Sequence, residues 1–208
     1  MATLILLRHG QSIWNLENRF TGSEDVDLSP LGIEEAKESG LLLKKYKIDF
    51  AFTSVLKRSI HTLNLILDII GKNIPVFKSA ALNERCYGDL QGLNKSETEK
   101  KYSILQVLMW RRSFKITPPN GESLKTTYDR VTQYYQSDIV PKLRSNKTIL
   151  VVAHGNSLRA LIMYLEAISE TAISDFEIET GVLRIYHFND DFKITSINQT
   201  IKTEENGT

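Results

Sequence analysis

Short apolar runs alternate along this chain with longer segments of helical period. The runs at 3–8, 50–53, 148–153 and 182–188 have the length of buried strands, and the stretches between them repeat apolar residues every three or four positions. This alternation predicts an α/β fold, a single domain with a mainly parallel central sheet flanked by helices on both faces. In "LSPLGIEEAKESGLLLKKY", Ser29 is the N-cap candidate and Pro30 suits the first turn. Glu34 and Glu35 favour the positive end of that helix, Lys44 and Lys45 its negative end, and positions 33, 36, 40–43 and 46 form its core face. A second helix is expected from about Lys57 to Ile70, stopping at Gly71; a third lies within 95–113, and a fourth runs from after Gly121 to about Val140. "TPPNGES" at 117–123 reads as a loop with an Asn-Gly turn. A single catalytic domain over 1–198 is expected, followed from 199 by a polar tail that is either disordered or folds only over something bound.

Two junctions resemble each other. "LILLRHGQS" at 4–12 and "ILVVAHGNS" at 149–157 each join an apolar strand to His-Gly and then to a polar pair that opens a helical pattern. The carboxyl ends of neighbouring parallel strands face one crevice, so His9 and His154 are candidates to lie side by side. Glycine after each histidine permits a tight turn and close backbone approach to a ligand, and helix N-termini favour an anion there. Two imidazoles facing a phosphate is the reading the duplication favours over two strand-end histidines bonded to backbone.

Arginines fit the same picture. Arg8 precedes His9, Arg58 opens the second helix, and "WRR" supplies Arg111 and Arg112. A guanidinium offers planar bidentate donors to phosphate or carboxylate; for Arg111 and Arg112 a solvated helix face is the competing reading. Glu84 in "LNERCYGDLQG" is a candidate acid and base, against a structural ion pair with Arg85. His61 is read as a support for its helix, His187 as a surface or edge residue, and Trp14 and Trp110 as packing.

Composition narrows the partners. The 208 residues carry 26 Lys and Arg against 25 Asp and Glu, so no broad field attracts nucleic acid or an acidic membrane, and anion binding must come from local clusters. Cys86 is the only cysteine, which excludes an intramolecular disulfide and fits a reducing cytosol. No spacing of His, Cys, Asp and Glu marks a metal site, so no metal is expected.

"LLRHGQSIWNLENRFTGSEDVDLSPLG", "TSVLKRSIHTL", "LNERCYGDLQGLNKSE", "WRRSFKITPP" and "AHGNSLRALI" resemble the cofactor-dependent phosphoglycerate mutases of the histidine phosphatase superfamily, over nearly the whole chain. The resemblance implies a phosphoglycerate mutase-like fold and interconversion of 3- and 2-phosphoglycerate in glycolysis and gluconeogenesis. It implies that His9 becomes phosphohistidine, primed by 2,3-bisphosphoglycerate, with Arg8, Arg58 and His154 neutralising the phosphoryl oxygens and Glu84 moving the proton. Asn15 and backbone groups around Gly155 and Asn156 are implied in the phosphate cradle. Ser12, Thr21, Gly22, Tyr87, Lys95, Arg111 and Arg112 match positions that hold the carboxylate and second phosphate. Partners are then small phosphoglycerates, with no nucleic acid and no membrane; whether the chain is a monomer or a homo-oligomer stays open. The alternative is a phosphomonoesterase of the same superfamily, which shares Arg8, His9, Arg58, Glu84 and His154 but needs no full carboxylate clamp. A binding protein without catalysis would have lost a nucleophile or an acid, and both are present. Gln11 and Cys86 stand where many members have Glu and His, from which only tuning is expected; the segment between Pro119 and Glu122 is shorter than in longer members and the tail is brief, which leads to an expectation of faster loss of phosphate from His9 to water.

Overall fold

In the computed structural model, which describes residues 1–200, six strands form one sheet in the order β3-β2-β4-β1-β5-β6. Strands β1 (Ala2–Arg8), β2 (Phe50–Thr53), β3 (Val76–Lys78) and β4 (Thr148–Ala153) are parallel, and β5 (Leu183–Phe188) and β6 (Ile194–Gln199) run antiparallel at one side. The α/β expectation holds.

The central strands are apolar throughout because both their faces are covered. In β1, Leu4 and Leu6 enter one core while Ile5 and Leu7 enter the other; in β4, Ile149 and Val151 divide in the same way from Leu150 and Val152. Helices α2 (Pro30–Leu43) and α3 (Lys57–Ile70) pack on each other over one face, and α6 (Leu124–Tyr134) and α8 (Gly155–Leu165) cover the opposite one. A one-residue slip of β1 would exchange its two buried faces and misplace Arg8 and His9.

Local signals account for most boundaries. Ser29 caps α2 by accepting from the Gly32 amide, and α3 ends at Gly71 with φ +63°. The core face of α2 differs from the expected one: Ala36, Gly40 and Leu43 are buried, but Leu41 and Leu42 face outward. The reason is close approach, since a Cβ on Gly40 would lie 3.0 Å from Ile69 Cβ. The third expected helix is two, α4 (Lys95–Tyr102) and α5 (Ile104–Arg112), broken at Ser103, whose φ is +77° and whose hydroxyl caps α5. The fourth extends past Val140: α6 passes through a wider turn at Tyr135–Ile139 into α7 (Val140–Leu143), and that turn accommodates Pro141.

Two strands were not expected. Strand β3 is three exposed residues on the sheet edge, too short to show periodicity. In β6 the Asn198 and Gln199 pair with β5, and the Thr200 amide donates to Leu183 O, so the segment read as the start of a polar tail completes the sheet. Five of its six residues are exposed, so its polarity reflects side chains that face water on both sides of the strand. The remainder of that tail lies outside the described residues.

Candidate active site

The carboxyl ends of β1 and β4 place His9 and His154 together, with ring centroids 4.9 Å apart and an edge-on arrangement. Both are buried, at 3% and 0% exposure. His9 Nδ1 lies 2.7 Å from Gly10 O, and a carbonyl only accepts, so the Nδ1 carries the proton and Nε2 keeps a lone pair. Burial first, then the charges of Arg58 and Arg8, hold the His9 imidazole well below its ordinary titration range. His154 is shifted in the same direction by burial, then by Arg58, His9 and Arg8. Both rings are neutral at pH 7.

Arg58 comes from the first turn of α3 and donates to Glu24 O and Gly22 O at 2.7 Å, and from Nε to His9 Nε2 at 3.3 Å. Its neighbours are carbonyls and an imidazole, and burial lowers its pKa to about 10, still fully charged at pH 7. Arg8 is held at one end by Ile178 O at 2.8 Å, while its Nε is buried without a partner. Thr21 Oγ1, Arg85 Nε and Nη1, and Arg159 Nε are in the same state. Buried donors cost free energy when unpaired; those of Arg8, Thr21 and Arg159 belong to residues that line one cavity, where they suit an anion.

That cavity, about 280 Å³, is lined by Arg8, Asn15, Thr21, Gly22, Glu84, Tyr87, Lys95, Arg111, Arg112, Gly155 and Asn156 among the anticipated residues. The structure therefore gathers these from seven separate segments. Ser12 does not reach it: fully buried, it caps α1 (Ile13–Leu16) by accepting from the Asn15 amide, and the Asn15 side chain accepts from the Ser12 amide in return. Its contact is with Asn15. His9, Arg58 and His154 form the packed floor beneath.

The Glu84 carboxylate accepts from the Asn156 amide at 3.0 Å and from the Arg85 amide at 2.9 Å. The ion pair with Arg85 is not formed; the Arg85 guanidinium turns to Tyr87 Oη and Arg111 O and lies 4.6 Å over the Tyr87 ring. Burial by itself raises the Tyr87 phenol, yet the charge and hydrogen bond of Arg85 outweigh it and the net shift is downward. One amide expected in the phosphate cradle, that of Asn156, is thus already engaged by Glu84.

The glycines of the two His-Gly junctions differ. A Cβ on Gly10 would meet Gly32 O at 2.1 Å, so that glycine permits helix α2 to approach, not a ligand. A Cβ on Gly155 would project between Glu84 Oε2 and Arg8 at 3.6 and 3.7 Å, into the cradle itself.

Toward the rim, burial and then the charge of Arg111 lower the pKa of Lys95 and of Arg112. Arg111 and Arg112 both line the cavity, against the solvated-face reading, though Arg112 also pairs with Glu177 and Arg111 lies 3.8 Å from Glu99. Five lining residues were missed from sequence: Arg19, Phe20, Arg159, Glu177 and Ile178. Arg159 had a signal, a lone cation in the apolar run "SLRALIM", and burial lowers its pKa to about 10. Glu177 had none, because it arrives on the irregular segment after α8.

Other readings resolve simply. Gln11 accepts from the Ser29 hydroxyl at 2.8 Å, Cys86 Sγ accepts from the Gly88 amide, and His61 bonds Asp27 at 2.9 Å, so none enters the cavity. Trp110 packs with Phe20, Leu90 and Val107. His187 is on a strand covered by β6 and bonds Thr3 Oγ1, so it is not at the sheet edge. Loop 117–123 folds back on the active-site strip, with Pro119 O accepting from the Asp89 amide and Cys86 O from the Glu122 amide. Arg130 braces that strip through Ala81 O, Asn83 O and Glu84 O.

The family model for the histidine phosphatase superfamily (branch 1) matches residues 4–200. A 2,3-bisphosphoglycerate-dependent phosphoglycerate mutase of Cytophaga hutchinsonii is 52% identical over 95% of this chain and 93% of that protein. Among solved structures, the alpha-ribazole phosphatase of Shigella flexneri superposes with a TM-score of 0.78 at 25% identity, covering 91% of this chain and 92% of that one. Bacillus stearothermophilus YhfR shares the fold, with a TM-score of 0.83 at 22% identity over 100% of this chain and 98% of that one. On the breadth of the family match and the identity to this relative, the chain belongs to the histidine phosphatase superfamily.

Proposed function

We propose that this enzyme interconverts 3-phosphoglycerate and 2-phosphoglycerate through a phosphohistidine at His9. The observation that carries the reading is a cavity lined by Arg8 on the His9 side and by Lys95, Arg111 and Arg112 at the rim, with Arg58 packed beneath it on the neutral His9 Nε2. One end suits the transferring phosphoryl group, the other the remaining anionic groups of a small substrate. A phosphatase has need only of the inner end. The 52% identity to a named mutase favours the same choice.

In this reading the His9 Nε2 lone pair attacks phosphorus while Nδ1–H stays on Gly10 O. Arg8, Arg58 and His154 neutralise the phosphoryl oxygens, since phosphoryl transfer is chiefly positioning and charge stabilisation. Glu84, held by two amides, gives a proton to the departing hydroxyl oxygen and takes one from the incoming oxygen. Asn15, Thr21, Gly22 and Tyr87 orient the glycerate, and Ser12 acts through Asn15. Residues at both ends fit a bisphosphate, and the unpaired donors Arg8 Nε, Thr21 Oγ1 and Arg159 Nε belong to residues that line the cavity. Bound 2,3-bisphosphoglycerate supplies the phosphoryl group that primes His9. No metal is assigned a role, and a place in the cytoplasm, in glycolysis and gluconeogenesis, follows from the activity; among the described residues no helix is long and apolar enough to cross a membrane.

The test is conversion of 3- to 2-phosphoglycerate with chelator present, with and without 2,3-bisphosphoglycerate, while free phosphate is followed. Strong stimulation with little phosphate release is expected. Phosphate release without isomerisation overturns the mutase reading and leaves the phosphomonoesterase one.

A further inference from the structure

Against His154 Nε2 lies a chain of hydroxyls that the reaction as described does not use. Ser54 and Ser59 are both fully buried, and their oxygens are 2.5 Å apart. Ser54 Oγ lies 2.7 Å from His154 Nε2 and accepts from the Leu56 amide at 3.1 Å, while the Ser59 hydroxyl donates to Leu56 O at 3.0 Å.

Each hydroxyl has one proton. With that of Ser59 spent on a carbonyl, the short contact is filled by the proton of Ser54. The Ser54 oxygen then has only lone pairs to offer, so Nε2 of His154 must carry hydrogen. The other ring nitrogen agrees independently: His154 is the N-cap of α8, its Nδ1 faces the first-turn amides and has no hydrogen-bond partner of its own. Helix N-terminal amides favour a lone pair there and oppose an N–H.

We propose that Ser54 and Ser59 are positioning residues that lock His154 in its Nε2–H tautomer, so that a phosphoryl oxygen beside His9 meets a neutral, correctly placed N–H donor. Ser54 holds that N–H in the resting enzyme and yields it to the anion. This inference rests on the phosphoryl-transfer reading above and deepens it.

The informative variant is Ser59→Ala, because Ser59 does not touch His154. Without Ser59 the Ser54 proton loses its acceptor and turns to Nε2, which displaces the histidine proton. Ring ¹⁵N NMR of the free protein, assigned with His154→Asn, is expected to show His154 moving away from Nε2–H. The value of kcat is expected to fall roughly tenfold with KM within about twofold, less than the loss of a direct oxyanion donor, and Ser59→Thr is expected to restore both readouts. Should Ser59→Ala not fold, Ser59→Cys keeps the volume with a weak donor and acceptor, and a smaller shift of the same sign is expected. An unchanged His154 tautomer with unchanged kcat in either folded variant overturns the proposal. Absence of phosphate on His9 in the parent protein overturns the mutase reading instead, and the tautomer result, read without substrate, stands apart from it.

Discussion

The floor and the rim of the cavity are built on opposite terms. At the floor, His9, Arg58 and His154 are buried at 3%, 1% and 0% exposure, and their contacts are with backbone carbonyls, one another and the serine pair. At the rim, Arg111 and Arg112 keep 31% and 26% of their side chains exposed and face carboxylates, Glu99 and Glu177. A buried guanidinium held by carbonyls, as at Arg58, is costly and acts strongly on an incoming anion, whereas rim pairs are screened and readily exchanged. On the proposed reading, chemistry belongs to the floor and recognition to the rim.

Four measurements test this contrast. His9→Ala removes the nucleophile and is expected to lower isomerisation by roughly 10⁴-fold or more, with no radiolabel retained from bisphosphoglycerate; labelled protein in this variant would place the phosphate elsewhere. Arg111→Ala is expected to cost about 2 kcal/mol in kcat/KM for 3-phosphoglycerate, roughly thirtyfold, with little effect on hydrolysis of a small aryl phosphate. Equal losses on both substrates would contradict a division between floor and rim.

The third concerns acid stability. Below about pH 6.5 an unfolded histidine takes up a proton, but His9 and His154 stay neutral in the fold because burial holds both pKa values down. The unfolded state thus binds more protons, and stability falls as pH drops through that value, by up to about 1.4 kcal/mol per pH unit for each histidine. Denaturant midpoints of His154→Asn are expected to show a shallower slope between pH 6.5 and 5; a parallel slope would mean that His154 is charged in the fold. The smallest effect is at the rim. Glu177→Gln removes the carboxylate that faces Arg112, and inorganic phosphate is expected to inhibit about two- to fivefold more strongly at low salt, the scale of an exposed pair. Weaker inhibition would show that Glu177 orders Arg112 instead of competing for it.

Much of this was readable from the chain because the responsible signals are local. Four strands, the Ser29 cap, the Gly71 stop and the two strand-His-Gly junctions all lie within windows of a few residues, where side-chain period and turn chemistry decide the conformation. Arg8, His9, His154, Gly155 and Asn156 sat in those windows as well, whereas the lining residues between them came from the family resemblance. Ser12 was misplaced since a serine before a short helix serves capping as readily as binding. Strand β6 was missed because five of its six residues are exposed, so no period-two alternation marks it.

By itself, then, the sequence determined the α/β alternation, the pair of histidines at strand ends and the supply of arginines, since each depends on neighbours along the chain. Only the tertiary structure decided which nitrogen of each ring carries the proton, that Glu84 rests on two backbone amides, that Glu177 comes to face Arg112, and that Gly10 serves a helix while Gly155 opens the cradle. Those outcomes depend on groups brought together from distant segments, and burial and hydrogen-bond partners exist only after the sheet has gathered them.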